Sequence, residues 1–218
     1  MFVYSLSGLA LSDDRADDPV EIEENETTAR SAVYQLLGRL FTPPDVDHWE
    51  RARDGRWGKE LAEAAAGLPY ALVVGDLALA DDVDRAAFEA AFAAAFDGAV
   101  LGGDRAPDRA RALEEINRAY EYFGLAAASG GDLPADHLVS ECDYLQYLTF
   151  REAAAQSDRL RKSYRRAQLE FLDGHLAWTA SLPDCAPAAG TLLFLAEAAL
   201  LVASFVHTDT EYVRSLVG

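Results

Sequence analysis

Three observations predict an all-α fold for this chain. Apolar residues recur at helical spacing along most of it, as in Val33, Leu36, Leu37 and Leu40. Alanine is abundant while valine and isoleucine are sparse, a balance that suits helix better than sheet. No stretch alternates apolar and polar residues with the period of a strand, and no repeat or low-complexity tract is present. Half of the 218 residues are hydrophobic, enough for a sizeable core. The expectation is a single globular helical domain of about eight to nine helices over residues 27–218, after a mobile acidic extension over residues 1–26.

The elements follow in order. Thr27 or Thr28 caps a helix that runs through Phe41 and is stopped by Pro43 and Pro44. A second starts near Asp45, passes Trp49, is disturbed around Gly55 and resumes to Ala66. Asp81 or Asp82 caps the next, with Phe88, Phe92 and Phe96 stacked at every fourth residue. Residues 98–107 read as a loop. A helix from about Asp108 to Ala128 carries Leu113, Ile116, Tyr120 and Phe123. Ser129, Gly130 and Gly131 break the chain, so a hinge near residues 129–132 is placed where subunits could exchange helices. The stretch PADHLVSECDYLQYL, residues 134–148, then opens a helix to about Ala155. Ser157 or Asp158 caps another, basic at its start, that ends near Trp178. Residues 183–190 form a loop before a buried helix from Thr191 to Val206, and a short last helix starts at Thr208.

The Thr191 helix contains Glu197 and is shorter than the ~18 apolar residues of a membrane span. The start, MFVYSLSGLALSDD, is apolar but lacks a basic region and a small-residue cleavage pattern, so it is not read as a signal peptide. Acidic residues number 37 and basic residues 19, and only Lys59 and Lys162 are lysines. A formal charge of −18 repels nucleic acid. Two readings of that charge remain: an acidic face for a basic partner, or adaptation to a salt-rich cytoplasm. The even spread of acid and the near-absence of lysine favour the second.

Motifs for chemistry are sparse. A nucleophile elbow, a P-loop and a dinucleotide fingerprint are all missing, as are the Glu-x-x-His pairs of a di-iron bundle, so no cofactor is expected. Cys142 and Cys185 lie far apart and read as thiols in a reducing cytoplasm. His137 and Glu141, one turn apart, could offer two metal ligands on one helix face, but no third is suggested nearby. Taken alone the same stretch reads as a capped helix. Asp132 or Asp136 satisfies free N–H groups, His137 pairs with Glu141, and Leu138, Cys142, Leu145 and Leu148 form the buried stripe.

The succession of motifs adds to this. In DHLVSECDYLQYL, the pattern of Asp136, His137, Leu138, Glu141, Tyr144 and Leu148 resembles a signature of the TorD/DmsD/NarJ family of redox-enzyme maturation chaperones. ARSAVYQLLGRLF resembles that family's first helix, with Tyr34. FEAAFAAAFDG, INRAYEYFGL and FLDGHLAW are similar to its later elements, in matching order over about residues 28–207. AVLGGDRAPDRA departs from the family's loop of proline, serine and aromatics, and the first 26 residues have no counterpart.

The resemblance implies no catalysis. It implies a cytoplasmic chaperone that binds the twin-arginine leader or apo form of a molybdenum-containing reductase subunit until its cofactor is inserted, before export. The chaperone would be a monomer or a helix-exchanged dimer. A leader needs acidic acceptors for its arginines and an apolar groove for the rest. Asp136 and Glu141 are candidates for the arginines, and a neutral His137 for shaping the hydrogen bonds. Tyr34, Phe92, Phe96, Tyr120 and Tyr144 are candidates for the groove. The alternatives are a helical metal-binding protein or enzyme that uses His137 and Glu141, and an adaptor that binds a folded subunit.

Overall fold

The computed structural model describes residues 19–96, 108–125, 133–185 and 193–218. Residues 1–18 of the expected extension, the loop over 98–107 and the hinge near 129–132 lie outside the described residues. The helices are α1 (Pro19–Leu40), α2 (Val46–Arg53), α3 (Arg56–Ala65), α4 (Arg85–Phe96), α5 (Arg109–Tyr122), α6 (Leu138–Ala153), α7 (Asp158–Phe171) and α8 (Leu193–Val217). No strand occurs among the described residues.

Several helix starts are set by short polar side chains. Asp45 accepts a hydrogen bond from the His48 amide at 2.8 Å, and Asp108 from the Arg111 amide at 3.2 Å. Ser157 accepts from the Leu160 amide at 3.4 Å. Each side chain replaces an intrahelical partner that the first turn lacks. Gly55 separates α2 from α3 with φ +64°, a conformation glycine adopts without steric cost.

Four expected boundaries are corrected. Helix α1 begins at Pro19, not at Thr27 or Thr28, so residues 19–26 are helical rather than part of an extension. Proline fits a first helical position because its missing N–H would have no partner there. Further along, Thr27 is buried and Glu26 accepts a hydrogen bond from Tyr212 at 3.1 Å, which ties this end of α1 to α8. Asp84, rather than Asp81 or Asp82, caps α4 through the Ala87 amide at 2.8 Å. Helix α7 stops at Phe171, and a π turn (Leu172–Leu176) and a 3₁₀ segment (Ala177–Cys185) carry the chain past Trp178. Helix α8 is one helix of 25 residues, with no break at Thr208. The Thr208 hydroxyl bonds back to the Ser204 carbonyl at 2.9 Å, inside the helix. By length and hydropathy α8 could cross a membrane, but here its Phe194, Leu195, Val202 and Phe205 face enters the core.

Helices α1 and α6 pack along each other in opposite directions. Gly38 lies against Cys142 and Asp143, and Arg30 reaches Glu152. One apolar cluster runs through both helices and on to Phe88, Phe171 and Phe205. A charged network is buried within it. The Arg30 guanidinium donates to Asp209 at 2.5 and 3.0 Å and to Gln168 at 2.6 Å. Tyr34 and Tyr70 each donate to Asp209 at 2.6 Å. Glu152 accepts from Arg165 at 2.6 Å and from Gln168 at 2.8 Å. Burial works against the Arg30 charge, but Asp209 and Glu152 outweigh it and hold the guanidinium protonated.

His48 packs among Trp57, Phe88 and Phe92, with ring centres 5.0 to 5.6 Å away, and its Nε2 has no partner. Burial lowers its pKa from 6.5 to about 4. An unfolded chain therefore binds this proton at a higher pH than the fold does, so stability falls as pH drops from about 6.5 toward about 4. His48→Phe should remove on the order of 2 kcal/mol of that pH dependence, read by urea unfolding near pH 7 and near pH 4.5. Asp209→Ala leaves Arg30 buried without its main counter-charge. It should cost about 3–5 kcal/mol by the same assay.

Candidate functional site

The eight residues expected to bind a peptide are all buried, and they fall into three clusters. Tyr34 belongs to the Arg30 network and packs edge-on to Phe205 at 4.8 Å. Phe92 and Phe96 pack edge-on at 5.1 Å beside His48 and Phe41. Asp136, His137, Glu141, Tyr120 and Tyr144 come together at the start of α6, where α5, α6 and the segment after α7 meet.

In this third cluster most of the polar side chains bond to the fold itself. Asp136 is fully buried, and it accepts from Arg109 at 2.9 and 3.3 Å, which docks the start of α5. Asp136 is therefore not the helix cap. His137 is the cap, its Nδ1 accepting from the Val139 amide at 3.2 Å. That bond needs a neutral ring, and burial lowers the His137 pKa against the pull of Asp136. The Tyr120 hydroxyl donates to the Ala135 carbonyl at 3.0 Å, and Tyr144 to the Ala119 carbonyl at 3.2 Å. Together these bonds hold α5 to the DHL turn.

Glu141 does not pair with His137. It is fully buried, accepts from Trp178 Nε1 at 3.3 Å through one oxygen, and leaves Oε1 without a partner. Burial raises its pKa well above the usual carboxyl value, opposed by Trp178 and helped by Asp136. The carboxyl is therefore held protonated. His137 and Glu141 thus have different partners, and no group of three metal-ligating side chains occurs among the described residues.

The open surface lies just outside this cluster. A groove of about 440 Å³ runs between α5 and α7. Tyr144 and Phe171, 4.6 Å apart, form its floor, and Phe123 and the exposed Tyr122 form one wall. Glu115, Glu170 and Arg166 line its rim, and His175 closes one end. Of the expected residues only Tyr144 lines this groove. Arg109, Trp178, Phe123, Glu115, Glu170 and His175 were not singled out as site residues. The spacing of Glu115, Ala119 and Tyr122 was a signal for them, because it sets all three on one helix face.

A helical frame that uses its signature residues to hold an aromatic groove open defines a helical binding protein. The chain matches the nitrate reductase delta subunit family over residues 55–182. It is 32% identical over 160 residues to the selenate reductase assembly chaperone protein of Thauera selenatis, covering 72% of this chain and 74% of that one. The chlorate reductase assembly chaperone protein of Ideonella dechloratans is 30% identical over 165 residues, covering 72% and 74%. The perchlorate reductase assembly chaperone protein of Dechloromonas aromatica is 29% identical over 175 residues, covering 73% and 78%. The chain belongs to the nitrate reductase delta subunit family, within the redox-enzyme maturation chaperones that its motifs resemble.

The protonated Glu141 sets a pH dependence of known sign. Its folded pKa is raised, so the stability it contributes is present at low pH and is lost as pH rises through that folded value. Glu141→Gln keeps an acceptor for Trp178 and cannot ionise. Thermal melts near pH 8.5 should show the variant more stable than the native chain, with the difference shrinking near pH 5.

Proposed function

We propose that this chain is a cytoplasmic maturation chaperone without catalytic activity of its own. It binds the N-terminal twin-arginine leader, the apo form, or both, of a molybdenum-containing oxidoreductase subunit, and holds it until cofactor insertion is complete. Family membership carries this reading, together with relatives described as assembly chaperones for three oxyanion reductases. The groove supports it. Tyr122, Phe123, Tyr144 and Phe171 offer an apolar bed for a helix-forming leader, and Glu115 and Glu170 are carboxylates a leader arginine can reach from solvent.

In this reading direct contact falls to Tyr144 and the groove residues. Asp136, His137, Glu141 and Tyr120 shape the groove from below, and Tyr34, Phe92 and Phe96 stabilise the frame. The large acidic excess suits a concentrated-salt interior. At about 1 M salt the screening length is about 3 Å, so long-range attraction between rim carboxylates and arginines is mostly lost. Apolar contact then carries most of the affinity.

A tryptophan-fluorescence titration in high KCl tests this, with synthetic twin-arginine leaders encoded in the same genome. Trp178 is a natural reporter because it sits on Glu141 beneath the groove. Tyr122→Ser, at a side chain 79% exposed, should weaken leader binding about tenfold without unfolding the chain. Removing the leader's apolar stretch should weaken it more than replacing its arginines. Binding of the apo subunit with no binding of any leader would favour the adaptor reading instead.

A further inference from the structure

Helix α7 is basic in an acidic chain. Its 14 residues, DRLRKSYRRAQLEF, hold five cationic side chains and two acidic ones. Two of the five are used internally, Arg161 on Asp158 at 2.9 Å and Arg165 on Glu152 at 2.6 Å. Arg159, Lys162 and Arg166 are exposed, and among the described residues they have no ion pair. Exposed arginines elsewhere, such as Arg53, Arg85, Arg118 and Arg214, each sit beside a carboxylate.

The spacing puts the three unpaired cations on one helix face, along about 10 Å of axis. They line a shallow depression of about 470 Å³ that shares Ser163 and Arg166 with the aromatic groove. Asp158, paired with Arg161, lines one end of the same depression. Three like charges within two turns repel one another. A chain with 37 acidic residues has ample carboxylate to neutralise them, yet among the described residues they stay unpaired.

We infer that the Arg159, Lys162 and Arg166 stripe docks an acidic segment of a partner protein, beside the groove that takes the leader. Charge complementarity selects that occupant. A few carboxylates on a folded partner can approach the stripe locally, and aliphatic contact adds to the ion pairs. A nucleic acid or an anionic bilayer carries dense charge over a wide area and is repelled by the remaining surface of a chain at −18. The twin-arginine leader has the wrong sign for this stripe. On the function proposed above, which this inference rests on, the acidic segment belongs to the body of the maturing subunit. The groove and the stripe then give one client two neighbouring contacts.

The test uses the full chain and the apo subunit made without its leader, with affinity measured by calorimetry at about 0.1 M and about 1 M salt. Arg159→Gln/Lys162→Gln and Arg159→Glu/Lys162→Glu are the variants. Both sites are exposed and neither lines the groove, and circular dichroism checks the fold. The expected result is about tenfold weaker binding of the leaderless subunit by the charge-reversed variant at low salt, a smaller loss for the glutamine variant, and a reduced but persistent loss for the charge-reversed variant at high salt. Leader affinity should be unchanged. Equal subunit affinity for native and charge-reversed chains would overturn the inference and leave the functional reading standing. Native chain that binds neither leader nor subunit would overturn both. Phosphatidylglycerol vesicles or single-stranded DNA bound through the stripe, with subunit binding unaffected, would also overturn it.

Discussion

The fold depends on one buried ion pair. Arg30 and Asp209 are both fully buried, and between them they order four helices. Asp209 on α8 collects hydrogen bonds from Arg30 and Tyr34 on α1 and from Tyr70 on the connection before α4. Arg30 reaches past it to Gln168 on α7 and Glu152 on α6. Two charges in an apolar interior are costly unless every donor and acceptor is met, and this network meets nearly all of them. Apolar packing alone would tolerate many relative rotations of these helices. The network accepts far fewer, and so it fixes the faces that α6 and α7 present to α5.

The groove follows from how α5 is attached. Helix α5 meets α6 through long side chains rather than by close backbone approach. Tyr120 and Tyr144 stand between the two as spacers, each ending in a hydrogen bond to a main-chain carbonyl across the gap. Arg109 pins the start of α5 to Asp136. A helix held at arm's length leaves an open channel between α5 and α7, and Phe123 and Phe171 line it. The signature residues therefore act on the groove through its geometry. Their polarity is used on main-chain groups, on one arginine and on one indole.

Much of this was legible in the sequence. Helical periodicity identified the fold class, and capping chemistry located the starts of α2, α5 and α7. The failures have local causes. Thr208, expected to start a last short helix, bonds backward inside α8 instead. The π turn after Phe171 holds Leu172 and Leu176 at a spacing that reads as ordinary helix. At the site, residue types pointed to the right stretch, but orientation was hidden. Asp136 and His137 are adjacent, yet one turns inward to Arg109 and the other caps its own helix. Arg109 and Trp178 lie 27 and 37 residues from their partners, a separation that no local pattern encodes.

The Arg30–Asp209 pair also sets an order of events in the life of the chain. The two residues are separated by 179 positions. At a synthesis rate of ~5–20 residues per second, roughly 10 to 35 s pass after Arg30 is made before its main counter-ion, Asp209, exists. Throughout that interval α1 carries a cation that the finished core cannot hold alone. The nascent chain can form helices and pair α1 with α6, but it cannot close. On this account closure of the buried network waits for α8. In a protein proposed to hold another chain until that chain is complete, a wait for completion is built into its own folding as well.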